Sequence, residues 1–209
     1  MKHFGIHHPE LFQIEELDRS ISYGCQQRFF GTKWKQLSGC GPTAASNLVL
    51  YAQTKDVCTQ ALRIESIKHL MNGMWTYVTP GMMGVDSTTK FEKGLSRYLK
   101  VHELPYTVHK LDVPKVKEHR PSLQHINDFL TQAFEKDAVV AFLNLHKGET
   151  ENLDEWHWVV IIDVQYDEST SEVTILDDGK KLKVDLAVWL ETTKNKGGFV
   201  TLINIKESI

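Results

Sequence analysis

A cysteine set between two glycines, ahead of a proline and a run of small and apolar residues, is a place where a thiol can be made to react. The stretch SGCGPTAASNLVLYA, Ser38 to Ala52, puts Cys40 at the mouth of a helix that Pro42, with no N–H to waste, is suited to start. There the unpaired N–H groups of the first turn and the positive end of the helix dipole both favour a thiolate. Gly39 and Gly41 permit a tight backbone and close approach of a substrate. A sulfur nucleophile also needs an imidazole to take its proton, and a third group to hold that ring. His157, in EWHWVVIIDV, stands at the start of an apolar strand between Trp156 and Trp158, and strand alternation puts it on the face of Val159 and Ile161. His146, at the end of the preceding strand, is the second candidate base. For the orienting acid, Asp163 shares the His157 face but lies about 20 Å along an extended strand, out of reach. Asp177 closes the strand EVTIL, which is expected to pair beside the histidine strand, and Asp178, claimed by a turn with Gly179, is its substitute.

Each of these residues also has a plainer reading. Cys40 could be a small buried hydrophobe in a Gly-Pro turn, His157 a packed strand histidine, and Asp177 one more carboxylate flanking a hairpin. Cys25, in SYGCQQ, and Cys58, in TKDVCTQ, lack a comparable setting and are read as packing residues. His3, His7 and His8 have no cysteine pair or carboxylate at ligand spacing beside them, so neither a metal nor any other cofactor is called for. WTYVTPGMMGVD, Trp75 to Asp86, is rich in glycine, methionine and aromatics and is expected to line the cleft.

The run GCGPTAASN resembles the active-site start of papain-like cysteine peptidases, most closely the bacterial branch related to bacteriocin leader-processing peptidases. SYGCQQRFF is similar to the segment in which that branch places a glutamine supplying an oxyanion donor, and the match puts that role on Gln27. The resemblance implies a papain-like fold, a Cys40–His157–Asp177 triad and acyl transfer through a thioester. It spans three short islands of sequence, of which only that around Cys40 is highly specific. Where the family often has proline after the acid, this chain has Asp178. The implied activity is that of a cysteine peptidase or amide hydrolase acting on a peptide or protein. An acyltransferase or transpeptidase-like enzyme and a catalytically idle peptide-binding module are the alternatives. Specificity for double-glycine leaders is not carried over: the chain has neither the membrane span nor the GxxxxGK[ST] loop of the transporters to which such peptidases are commonly fused.

The elements that must position these residues change character along the chain. Up to about residue 136 the apolar spacing is mostly helical: Pro42 to Ala52, Ala61 to Met71, a helix capped by Asp86 or Ser87 that runs through Phe91 and Leu99, and one capped by Ser122 that runs to Phe134. Beyond it come short strands, at 138–146, 155–164, 172–176, 181–184 and 199–205, with a short helix over Leu186 to Glu191. Asp178-Gly179 is a strong two-residue hairpin signal. Helices first and antiparallel strands later predict an α+β fold in which a helical lobe, about 1–136, packs on a sheet lobe, about 137–209, as one domain with a cleft between the lobes.

Composition bounds the partners. With 209 residues, 41% of them hydrophobic, the chain can bury a substantial core, and a formal charge of −3 carries no polybasic surface for nucleic acid. The longest apolar runs reach about a quarter of the roughly 20 residues a membrane span needs. An N-terminus interrupted by charges and an odd number of cysteines predict a cytoplasmic protein with free thiols.

Overall fold

A computed structural model describes residues 1–16, 19–56 and 64–207. The helix that carries Cys40 spans Cys40–Thr54, and every residue from Gly41 to Ala52 is buried. A helix buried on every side belongs at the centre of a molecule. This one, α2, runs against the sheet, with α3 (Ile64–Trp75) beside it. It follows the short α1 (Lys33–Ser38), and Gly39 ends one helix and caps the next. The remaining helices are α4 (Thr88–Val101), α5 (Leu123–Glu135) and α6 (Leu186–Thr192). Hydroxyl or carboxylate caps open all three: Ser87 accepts from the Lys90 N–H, Ser122 from His125 and Asp185 from Val188. The expected helix start at Ala61 and the packing role of Cys58 fall outside the described residues.

The larger sheet is antiparallel, in the order β4-β9-β5-β6-β7-β8. Its strands are β4 (Tyr106–Val113), β5 (Val140–Asn144), β6 (His157–Tyr166), β7 (Ser171–Asp177), β8 (Lys180–Asp185) and β9 (Gly197–Asn204). One flank of the long β6 is shared: β5 pairs with its His157–Ile161 half, and β1 (Lys2–Gly5) with Asp163–Tyr166. A small ribbon of β2 (Gln13–Glu15) and β3 (Ile21–Tyr23) adjoins the β7–β8 hairpin, where the Tyr23 N–H donates to the Gly179 carbonyl at 2.9 Å.

The expected helices-then-strands order is therefore incomplete, because β1 to β4 all lie before residue 136. The strand β4 was open to recognition: Tyr106 and Val108 are half-buried and Thr107 and His109 exposed, the period-two pattern of a one-sided strand. Three-residue ribbon strands carry too little pattern to stand out. Buried residues from both halves of the chain form one hydrophobic cluster, in which α2 side chains meet those of β5, β6 and β9.

Candidate active site

Four elements converge on a cleft of about 330 Å³ whose walls include Cys40, His157, Asp177 and Gln27. Helix α2 contributes Cys40, half-buried at its first position, with Thr43, Ala44 and Asn47 below it on the same wall. The first residue of β6 contributes His157, and the last residue of β7 contributes Asp177. The 3-10 turn Gln27–Phe29 brings Gln27 and Arg28.

The glycines around Cys40 have a reason different from the one expected. A Cβ on Gly39 would lie 2.6 Å from the Phe30 ring, and one on Gly41 would lie 2.7 Å from Val85. Close approach here is between parts of the protein, and it locks the helix mouth against the Phe30 segment on one side and the Val85 segment on the other. The Val85 carbonyl in turn accepts from the Trp158 indole N–H at 2.6 Å. The stretch 75–86 thus braces the site rather than lining its cleft. Its Tyr77, Val78, Thr79 and Val85 border a separate groove with Lys90 and Arg97, and Met82 and Met83 stand exposed at the tip of the Gly81–Gly84 turn.

His157 Nε2 lies 2.7 Å from Asp177 Oδ1. Their side chains are 14% and 15% exposed, so the pair is sheltered without being sealed. With Nε2 committed, Nδ1 is the nitrogen left for the ring's other polar neighbour, the Cys40 thiol. Burial by itself would lower the affinity of this imidazole for a proton. The hydrogen bonds and negative charge of Asp177 and Cys40 outweigh it, and the ring is pushed up from 6.5 to about 10.

The other sequence candidates separate from this group. His146 Nδ1 accepts from the Gly148 N–H at 3.0 Å and from Lys194 at 3.3 Å, and its Nε2 is 3.8 Å from Glu155, so the second candidate base holds a loop together. Asp163 accepts from Thr174 Oγ1 at 2.8 Å and pairs with Lys183. Asp178 and Gly179 have φ of 42° and 77°, the left-handed pair that a two-residue hairpin demands, which leaves Asp178 exposed in the turn while Asp177 faces the ring. Cys25 is buried in the core, where lost solvation pushes its thiol up to about 12 and removes it from chemistry at neutral pH. His3, His7 and His8 are exposed.

Three glutamines border the cleft, and their amides are spent differently. Gln36 Nε2 donates to the Phe30 carbonyl at 2.8 Å and the Arg28 carbonyl at 3.2 Å. Gln26, 1% exposed, donates to Ser22 Oγ at 2.8 Å and accepts from Arg28 Nε at 2.6 Å, packed under Gly179 of the hairpin that presents Asp177. Among the described residues Gln27 alone of the three keeps its carboxamide uncommitted.

Sequence reasoning missed Asn144. It is fully buried and lies directly across from His157 in the β5–β6 register. Its Nδ2 donates to the Asp154 carbonyl at 2.6 Å, and its Oδ1 accepts from the His146 N–H at 3.1 Å and the Trp189 indole at 3.0 Å. One side chain thereby anchors both ends of the loop that delivers His157. The available signal was a lone carboxamide inside the apolar run AVVAFLNLH.

No protein-family model matches the sequence, and no match was found among curated proteins. The fold is similar to that in the crystal structure of UfSP from C. elegans, with a TM-score of 0.56 over 96% of this chain at 9% identity. This chain spans 34% of that one. At that identity the likeness speaks for the fold, and the architecture is papain-like: α+β, with a central helix against an antiparallel sheet. No helix among the described residues is long and apolar enough to cross a membrane.

Proposed function

We propose that the protein is a cysteine peptidase or related amide hydrolase, in which Cys40 is the nucleophile, His157 the base, Asp177 the orienting acid and Gln27 an oxyanion donor. The observation that carries this reading is the His157 ring, held at 2.7 Å by Asp177 through one nitrogen, on the wall of the open cleft that Cys40 lines from a helix mouth. A histidine and a carboxylate this close are common in proteins. A half-buried thiol at a helix mouth on the wall of the same cleft is not explained by packing.

The Cys40 thiolate, paired with a His157 ring that already carries a proton on Nδ1, attacks the carbonyl carbon, and the carbonyl electrons move onto oxygen. The Cys40 backbone N–H and the Gln27 amide donate to that oxyanion. Collapse breaks the C–N bond, the imidazolium returns its proton to the departing amine, and a thioester remains on Cys40. Water, deprotonated by the same ring, attacks the thioester, and collapse releases the acid and restores the thiolate–imidazolium pair. Asp177 accepts from the ring through Nε2, which holds the imidazole with Nδ1 toward sulfur. An acyl acceptor other than water would use the same first half-reaction. The papain-like architecture and the polar-walled cleft favour a peptide or protein substrate. The resemblance to leader-processing peptidases rests on GCGPTAASN and SYGCQQRFF alone.

The test is an electrophile that needs only a nucleophilic sulfur. Incubation with a peptidyl thioester should leave an acyl adduct on wild-type Cys40, visible as added mass, and none on Cys40→Ala. Adducts of equal yield on both proteins would refute the assignment.

A further inference from the structure

Helix α2 contains three serine or threonine side chains with a carbonyl four residues back, and two of them use it. Ser46 Oγ donates to the Pro42 carbonyl and Thr54 Oγ1 to the Leu50 carbonyl, each at 2.7 Å, the ordinary way a buried helical hydroxyl is satisfied. Thr43 does not follow them. The Gly39 carbonyl accepts only from the Thr43 backbone N–H, at 2.9 Å, and Thr43 Oγ1, in a residue 8% exposed, has no partner among the described residues. Thr43 lies one helical turn from Cys40 and lines the same cleft. A second orphan borders that cleft: Gln27 Oε1 is buried and also without a partner among the described residues, on the side chain whose nitrogen the proposed mechanism uses.

Buried polar atoms are almost always paired, so two orphans on the walls of one cleft point to a partner that arrives from outside. One is a hydroxyl, able to donate, and the other a carbonyl oxygen, able only to accept. A peptide unit offers the complementary pair, a C=O and an N–H. The scissile amide cannot be that unit, because its oxygen is taken by the oxyanion donors. The cleft, at about 330 Å³, holds the equivalent of roughly ten waters of liquid, more than the reacting carbonyl requires.

We propose that Thr43 and Gln27 form a substrate subsite, in which the Thr43 hydroxyl donates to the carbonyl, and Gln27 Oε1 accepts from the N–H, of the peptide unit next to the scissile bond. This rests on the cysteine-peptidase reading of Cys40. It restricts the substrate to a peptide chain continuing past the cleaved amide, as opposed to a small isolated amide or ester.

Alkylation of Cys40 by two chloromethyl ketones separates the two ideas. Chloroacetone carries the warhead alone; N-acetyl-trialanine chloromethyl ketone carries it on a peptide. Wild-type protein should take the peptide reagent far faster than chloroacetone. Thr43→Val, which keeps the shape and removes the hydroxyl, should lose about tenfold in the peptide rate while chloroacetone, with no peptide unit to bind, reacts as before. Thr43→Ser should recover most of the loss. Because Val removes a hydroxyl left unpaired in the free protein, its melting temperature should rise by a few degrees. A structural role would instead lower it. Equal peptide rates in wild type and Thr43→Val, a wild type that does not prefer the peptide reagent, or a lowered melting temperature in Thr43→Val would each overturn the subsite. Failure of Cys40 to react with either reagent would overturn the cysteine reading and the subsite with it.

Discussion

At the scale of single residues, the proton on His157 is the quantity that the site controls. Two neighbours that favour the charged ring prevail over burial, which disfavours it. Asp177→Asn removes the fixed charge and leaves the desolvation, so the ring's titration, followed by NMR of the imidazole carbons, should move down by more than one pH unit from about 10. The sign for stability follows from linkage. A folded-state value above the unfolded 6.5 stabilises fully below pH 6.5, and the gain is lost as pH rises through about 10. The melting-temperature gap between wild type and Asp177→Asn should therefore be widest below pH 6.5 and narrow toward pH 10. A gap that widened with pH would contradict the assignment. Removing one oxyanion donor costs on the order of a hundredfold in rate. Gln27→Ala should show at least that loss in single-turnover acylation by the peptidyl thioester, with Cys40 still alkylated by chloroacetone.

At the scale of elements, how much could be read from the sequence depended on how local each cause was. Cys40 was legible because its neighbours Gly39, Gly41 and Pro42 mark a helix mouth within four residues. Asp177 was legible because the Asp178-Gly179 turn fixes which carboxylate ends the strand. The bracing of Gly41 by Val85 was not legible, since it depends on a contact 44 residues away that leaves no periodic trace. Asn144 was missed for the same reason: its partners Asp154 and Trp189 lie in a loop and in a later helix. Asn144→Ala strands a buried indole N–H and frees the loop before His157. It should lower stability by about 2 kcal/mol or more in denaturant titrations and slow acylation even where the protein remains folded. A variant of unchanged stability and rate would show that the loop is held by other contacts.

For the molecule as a whole, the sequence led us to expect two lobes, and the structure interleaves them. Strand β4, from the first half, pairs along all of β9, from the second, and β1 shares β6 with β5. Far from the cleft, Tyr51 of α2 donates to Asp137 Oδ1 at 2.6 Å, and Lys55 donates to the carbonyls of Lys136 and Asp137 at 3.1 and 2.9 Å, tying the central helix to the chain entering β5. A chain built this way, we propose, unfolds as one unit, so the calorimetric and van't Hoff enthalpies should agree in a single transition. Two resolved transitions would separate the lobes after all.

The central claim is that an imidazolium presented by the sheet keeps the helix-mouth sulfur ionised. Its most direct measurement is the rate of iodoacetamide alkylation at Cys40 at pH 6, read by peptide mass spectrometry, against glutathione in the same tube and against His157→Ala. The account predicts that Cys40 reacts at least tenfold faster than glutathione, and that the advantage disappears in His157→Ala. Alkylation no faster than glutathione, or equally fast without the histidine, would contradict it.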